Sequence, residues 1–368
     1  MSKPLCVMPY SRVFVNSNGT FRNCCSANPQ IISTDETFTQ WWTGDNLGKF
    51  RQQLTQDQLP TECQACKLTE DFGGRSFRIV INDDSQVTTF DKPTVPDSWH
   101  IVMGNVCNLA CWHCGEDYSS TIAQHKRQIK ILKEDFIDPN VEFQHRWPDI
   151  KQNILNSYEF YDTVTITLLG GEPMYNKLAI DFVTELVDSG LSKRTNIEIT
   201  TNGTKLGSKM LEVLHKDSWR HISVFVSVDS IGSKSEWLRY GSNWNDVLTN
   251  IKHYADTVTR LELHYTVSIL NINNLSEFIN FCLKNQYRYH IMPLAEPWFM
   301  DLRHWDGSVD FIDKSKITDK TSEDFVNLVG TAPINGAFKE LSNYIKQFDA
   351  IRTPLQQYDP MLAQVLDL

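Results

Sequence analysis

Downstream of residue 98 the chain alternates short runs rich in β-branched and aromatic residues with stretches whose apolar positions recur at helical spacing. Runs at 99–105 (WHIVMGN), 163–169 (TVTITLL), 196–202 (NIEITTN), 221–229 (HISVFVSVD), 261–270 (LELHYTVSIL) and 288–294 (RYHIMPL) predict six strands. Helix-period patterns lie between them at 176–190, 208–218, 243–257 and 274–285. The first connection, 115–162, is much longer and predicts two helices split near Pro139 and Pro148. Strands alternating with helices imply a parallel sheet, and six of them suit an open partial barrel better than a closed eightfold one. Past residue 300 the pattern weakens to a polar loop around Trp305, then helical stretches at about 323–330 and 337–350.

The first 98 residues read differently. Five cysteines fall there, at 6, 24, 25, 63 and 66; three more follow at 107, 111 and 114, and Cys282 stands alone in an apolar helical pattern. Residues 82–98 combine turn formers, two prolines and several acids, the composition of a linker or surface loop. The expected division is a cysteine-bearing unit over 1–81, a linker over 82–98, an α/β unit over 99–300 and a mostly helical extension over 301–368. The fold class is therefore expected to be α/β: a partial (β/α)6 TIM-like barrel preceded by a small cysteine-rich α+β module. A length of 368 residues accommodates two such units.

Composition narrows the chemistry more than the fold. Hydrophobic residues make up 41% and charged residues 22%, near globular averages, and no apolar run approaches the ~18 residues of a membrane span. Pro4, Pro9 and Arg12 interrupt the apolar stretch that a secretory signal would need, so a cytoplasmic location is expected. A formal charge of -10 argues against a protein whose main task is gripping a phosphate backbone. Nine cysteines in tight clusters without an export signal suit metal or cluster binding rather than a disulfide framework.

Cys107-Asn-Leu-Ala-Cys111-Trp-His-Cys114 follows the first predicted barrel strand directly, which puts three thiols in one loop at that strand's carboxyl end, where parallel α/β sheets bind ligands. Three soft ligands at this spacing can hold three irons of a [4Fe–4S] cluster and leave the fourth open. A three-cysteine zinc site uses the same donor type. The C-x3-C-x2-C spacing resembles the signature of the radical S-adenosylmethionine (radical SAM) superfamily.

Further elements carry the resemblance along the predicted strands. The second ends in Gly170-Gly171-Glu172-Pro173, which resembles the family's GGEP element; an acceptor carbonyl or carboxylate there would hold the ammonium of the methionine part of SAM. Thr200-Thr201-Asn202 resembles the polar tip that contacts the methionine or ribose part, with Thr200 and Asn202 as candidates. Ser227-Val-Asp229 and Arg239-Tyr-Gly241 resemble elements of the peptide-modifying branch. By that likeness Ser227 touches the ribose or amino acid, and Arg239 pairs with the SAM carboxylate through its two-donor fork. Asp229 suits either a turn or the substrate. His113 takes a position that the family fills with an aromatic side chain near the adenine, and Ile269 and Asn271 occupy the place of an adenine-contacting backbone element that usually carries glycines.

The amino-terminal cysteines, Cys6, Cys24, Cys63 and Cys66, with Cys25 as a nearby non-ligand, resemble the SPASM/Twitch extension, whose shorter form holds one auxiliary [4Fe–4S] cluster. A four-cysteine zinc site uses similar spacing. In the familiar members this extension follows the barrel, whereas here it precedes it. Together the resemblances imply an enzyme that reductively cleaves SAM to methionine and a 5′-deoxyadenosyl radical, which removes hydrogen from a substrate C–H. A fully ligated auxiliary cluster would make the net reaction an oxidation. An electron donor such as flavodoxin or ferredoxin is implied. A peptide- or protein-modifying maturase, and a non-catalytic iron–sulfur or zinc protein, are the alternatives. No spare unit of about 80 residues remains to bind a leader peptide. That tilts the substrate toward a small molecule or a partner protein's side chain, with Tyr10, Glu296, His290 and Asp229 as candidate polar groups of the pocket.

Overall fold

In the computed structural model, which describes residues 5–27, 31–71, 74–84 and 95–368, the six expected strands all form, and two more precede them. The strands are β1 (Arg12–Val15), β2 (Phe21–Arg22), β3 (Ser98–Val102), β4 (Val164–Leu169), β5 (Thr195–Thr201), β6 (His221–Ser227), β7 (Arg260–Val267) and β8 (Arg288–Pro293). They make one sheet in the order β2-β1-β3-β4-β5-β6-β7-β8, parallel from β1 through β8 with only β2 antiparallel. The architecture is the expected open α/β barrel, with a helix covering each long crossover.

The amino-terminal segment, expected as a separate module, instead extends this sheet. β1 pairs in parallel with β3, Arg12 opposite Ser98 and Val15 opposite Ile101, so the sheet begins at residue 12 rather than 99. The Asn18-Gly19 turn closes the β1–β2 hairpin, Gly19 having a left-handed φ of 80°. Four residues are too few to reveal by periodicity which sheet a strand joins. Of the expected linker, residues 85–94 lie outside the described residues. Ser98 opens β3, and Asp97 just before it already bonds to both neighbours, donating its N–H to Ser11 O and accepting at its carbonyl from Thr165 N.

A second difference concerns the long crossover. Its helices are Ser120–Gln128 and Pro139–Phe160, and Pro148 sits inside the second rather than splitting it. Pro139 fills the first helical turn, where a missing N–H costs nothing. Pro148 and Gln144, whose carbonyl loses its partner, both lie on the exposed face, while Phe143, Trp147, Ile150 and Ile154 on the opposite face are buried. That burial offsets an interior proline that costs about 3 kcal/mol in an isolated helix.

Along the sheet one side is apolar and the other is not. Trp99, Ile101, Ile166, Leu168, Ile197 and Ile199 are fully buried beneath the helices. The alternate positions on the concave side carry His100, Thr167, Glu198 and Phe225, and the Thr167 hydroxyl lies 3.3 Å from His100 Nε2 and donates to Glu198 at 2.8 Å. A parallel sheet covered on both faces would be apolar on both. The polar side is therefore not the face of a second apolar layer.

Burial first, then Arg12 and Arg22, pushes the His100 imidazole down to about 3. An unfolded histidine titrates near 6.5, so below that pH the unfolded chain binds a proton that the folded one refuses, and stability falls as the pH falls. This residue should contribute a slope of roughly 1.4 kcal/mol per pH unit. Urea unfolding of His100→Gln between about pH 6.5 and 4.5 should show a dependence shallower by that amount, and equal slopes would contradict a neutral buried imidazole.

Candidate functional site

The chain leaves β3 at Val102 and turns into the cysteine loop, which three neighbours pin. From β4, Glu172 donates its N–H to Val106 O at 2.7 Å. From beyond β6, Tyr240 O accepts from Ala110 N at 2.9 Å and Leu238 O from Trp112 N at 3.0 Å. From the following helix, Thr121 and Ser119 hydroxyls donate to the carbonyls of Cys107 and Leu109 at 2.7 and 2.6 Å. The close approach to β4 requires glycine. A Cβ on Gly170 would overlap Val102 Cγ1, and one on Gly171 would stand 2.5 Å from Val106 O; both residues also have positive φ.

Glu172 is 1% exposed, and its carboxylate is filled by the chain itself. One oxygen accepts from Met174 N at 3.0 Å and Thr201 Oγ1 at 2.7 Å; the other accepts from Asn202 N at 2.6 Å. Burial raises its pKa, with these hydrogen bonds opposing. The side chain thus ties the tips of β4 and β5 together through three of its acceptor positions. Pro173 and Thr200 lie on the same two tips. Asn202 reaches the cysteine loop, its amide donating to Asn108 Oδ1 at 2.9 Å and lying 3.9 Å from Cys107 Sγ.

Cys111 is buried, Cys107 and Cys114 half-buried, and the ionised forms of the three repel one another. Burial raises all three thiols, Cys107 to about 12, while Arg239 pulls each of them down. A thiolate is therefore costly here until a metal takes it up, since ligation needs the deprotonated form. At the end of β6, Asp229 is 1% exposed; it accepts from Arg239 Nη1 at 2.6 Å and lies 3.7 Å from His113 Nε2. Burial opposes its charge, but Arg239 and then His113 outweigh it and hold the carboxyl below the usual carboxylate range. Ser227 ends β6 on the concave side, in register with His264. Ile269 and Asn271 are buried, and Asn271 spends its side chain on Asp229 O, Thr266 O and Ser268 N, which suits a structural role.

The other thiols lie at the opposite end of the sheet. Cys6, Cys24, Cys63 and Cys66 line one small pocket with Phe50 and Arg78, while Cys25 is exposed. Cys6 precedes the short helix Met8–Ser11 that leads into β1, Cys24 follows β2, and Cys66 stands on the helix Gln64–Asp71 rather than in a loop. Arg12, the first residue of β1, senses the charge of Cys25 and Cys24, which fixes this pocket at the amino end of the strands. Burial raises Cys6 to about 11 and Cys63 to about 12. Cys282, fully buried in the helix Leu275–Asn285, belongs to neither set.

Among the described residues, no group of three or more His, Cys, Asp or Glu side chains is gathered closely enough to hold a metal ion as it stands. The donor chemistry fits iron–sulfur ligation all the same: only soft thiols, three in one loop and four around one pocket, each set under apolar cover. Beside the loop, Arg239 Nε and all three nitrogens of Arg352 are buried without hydrogen-bond partners among the described residues. Of the remaining candidates, Tyr10 donates to Arg51 O and Glu296 accepts from Trp298 N, while His290 stands in register with His264 on the concave side, their rings 5.6 Å apart. Sequence reading missed Glu198, His100 and Arg352: the first two sit at alternating positions of strands whose inner face it did not separate, and Arg352 belongs to no motif.

Replacing Glu172 by Gln tests the tie between β4 and β5. Either orientation of the amide turns its NH2 toward an N–H or O–H donor, so Glu172→Gln should lower unfolding free energy by about 1–3 kcal/mol in urea. A change within about 0.5 kcal/mol would show that the three hydrogen bonds do not hold the edge.

The family model described as the radical SAM superfamily matches residues 101–282. No curated protein matches the chain. Among solved structures, SuiB of Streptococcus suis bound to precursor peptide SuiA is 13% identical with a TM-score of 0.41, covering 78% of this chain and 60% of that one. Native anSMEcpe with bound AdoMet is 13% identical with a TM-score of 0.40, covering 68% and 61%. TsrM from Kitasatospora setae, a radical S-adenosylmethionine methyltransferase with cobalamin and a [4Fe–4S] cluster bound, is 8% identical with a TM-score of 0.35, covering 69% and 51%. The chain thus spans between half and about three fifths of the length of these structures. The matched segment, a radical SAM domain, begins in β3, contains the cysteine loop and the Gly170-Gly171-Glu172-Pro173 turn, and ends at Cys282.

Proposed function

We propose that this protein is a radical SAM enzyme that takes hydrogen from a substrate C–H, with a net oxidation as the outcome. The observation that carries the reading is the cysteine loop: Cys107, Cys111 and Cys114 at the carboxyl end of β3, beside a turn whose glycines admit only backbone. These three thiolates would hold a [4Fe–4S] cluster and leave one iron for SAM. That cofactor pair, when bound, supplies the radical chemistry: one-electron cleavage of the sulfonium to methionine and a 5′-deoxyadenosyl radical.

The chain's own residues bind, orient and exclude water. A backbone carbonyl of the 170–173 turn, or the acceptor position that Glu172 Oε2 keeps beyond its bond from Asn202, would accept an ammonium. Arg239 gives one nitrogen to Asp229 and keeps Nε for a carboxylate of SAM. Asp229 in turn holds Arg239 and His113 in place, and Ser227, Thr200 and Asn202 present polar atoms along the same edge. The substrate would lie on the concave side, where His100, Thr167, Glu198 and His264 suit a molecule with hydroxyl or amine groups.

The amino-terminal pocket extends the reading. Cys6, Cys24, Cys63 and Cys66 would hold an auxiliary [4Fe–4S] cluster, which supplies an electron acceptor. Such a cluster, at the amino end of the strands, would leave the concave side, along a β3 of about 16 Å, between itself and the Cys107 loop. This is the part of the SPASM/Twitch likeness that the pocket supports, although the module precedes the barrel and shares its sheet.

The test is turnover under anaerobic conditions with dithionite. Protein reconstituted with iron and sulfide should form 5′-deoxyadenosine from SAM, and a Cys107/Cys111/Cys114→Ala variant should form at least a hundredfold less. A Cys63/Cys66→Ala variant should keep that cleavage while losing the iron of the second site. Equal product from the native protein and the triple variant would overturn the reading.

A further inference from the structure

The carboxyl-terminal segment, which no motif explains, closes over the outer side of the cysteine loop. Trp112, between Cys111 and His113, is 1% exposed because Tyr344 and Phe348 of the helix Ala337–Phe348 pack edge-on against its ring, and Trp237 lies beside it. Tyr344 donates its hydroxyl to Trp112 O at 3.3 Å, Trp237 Nε1 donates to Thr353 O at 2.8 Å, and Tyr240 donates to Ile351 O at 3.1 Å. These bonds set the stretch 344–353 firmly on the loop.

Within this stretch Arg352 is the anomaly. It is 5% exposed, and Nε, Nη1 and Nη2 are all buried with no hydrogen-bond partner among the described residues. Its guanidinium is instead enclosed by rings, 4.1 Å from the centroid of Phe348, 4.4 Å from Trp112 and 5.4 Å from Tyr240. Three cation–π contacts of about 0.5–2 kcal/mol each offset the several kcal/mol that burying a cation costs at most about evenly, and they leave its N–H donors unbonded. The groups whose ionisation favours its charge are Tyr344, Cys111 and Tyr240, and no carboxylate is among them. A phenol is neutral near pH 7, whereas a metal-bound cysteine is a thiolate. The one anion that loading would place beside Arg352 is therefore at Cys111.

From this geometry we infer that Arg352 is a positioning residue for the loaded site: it holds a buried positive charge against the Cys111 side of the cluster, and the carboxyl-terminal segment exists in part to deliver it. The inference rests on the cysteine loop holding a cluster. A fixed cation favours the more negative, reduced state of a neighbouring redox centre, the more so where water is excluded. Lys in place of Arg352 keeps the charge; Gln removes it and leaves most of the volume.

The readout is the cluster's reduction midpoint, followed by EPR during an anaerobic redox titration of the full reconstituted chain, using the signal that changes when SAM is added. At a fixed potential on the titration curve, R352Q should show about tenfold less reduced relative to oxidised cluster than the native protein, which for a one-electron couple is about 59 mV. R352K should stay within about twofold of native, as should Y344F, which removes a tail bond without touching the charge. Should R352Q lose the iron of this site while R352K retains it, the charge requirement is likewise supported. A midpoint for R352Q within twofold of native, or an equal shift in R352K, would overturn the inference and leave Arg352 as an aromatic staple. If the native protein gives no signal that responds to SAM, the cluster reading itself fails.

Discussion

The carboxylate of Glu172, sealed between the ends of β4 and β5, takes hydrogen bonds from Met174, Thr201 and Asn202, and with its own N–H it also holds Val106. Four contacts of one residue thus join the tips of β3, β4 and β5. Because Gly170 and Gly171 let the β4 turn lie directly against Val102 and Val106, the cysteine loop has one place to go. From there Asn202 meets Cys107, and the backbone of 238–240 meets Ala110 and Trp112. A site built this way is rigid before any cofactor arrives, which suits chemistry whose protein share is orientation and exclusion of water.

Electrostatics make the same edge expensive on its own. The buried Cys111 and the half-buried Cys107 and Cys114 resist ionisation, and the cations around them, Arg239 from beyond β6 and Arg352 from the tail, have no full set of hydrogen-bond partners among the described residues. Asp229 satisfies part of Arg239 and steadies His113. The second thiol set repeats the pattern at the amino end of the strands, with Arg78 lining its pocket and Arg12 close by. Between the two ends runs a concave wall of hydrogen-bonded polar residues where a packed sheet would be apolar. A polar concave wall thus runs between two groups of thiols, one at each end of the strands.

Much of this was legible in the sequence because the determinants are local. Six strands and the intervening helices follow from periodicity, and the motif positions at strand ends follow from the parallel topology that periodicity implies. What escaped depends on tertiary context. β1 is too short to declare which sheet it joins, so the amino-terminal segment read as a separate body. Pro148 read as a break because its tolerance depends on which face of the helix is exposed. The tie that Glu172 makes between β4 and β5 was not legible because the residues that bond its carboxylate come from 29 and 30 positions away. Arg352 was invisible for a similar reason: its importance lies in the absence of a partner, which no spacing encodes.

The central claim is that two cysteine sets at opposite ends of one sheet each hold a cluster and that only the one at Cys107, Cys111 and Cys114 meets SAM. Mössbauer spectroscopy of protein reconstituted with iron-57, recorded with and without SAM, tests it most directly. The account predicts two clusters in equal amount, with the spectrum of one iron in one of them changed by SAM and the other cluster unaffected. Bound iron that shows no response to SAM, or a response that survives replacement of Cys107, Cys111 and Cys114 by Ala, would contradict it.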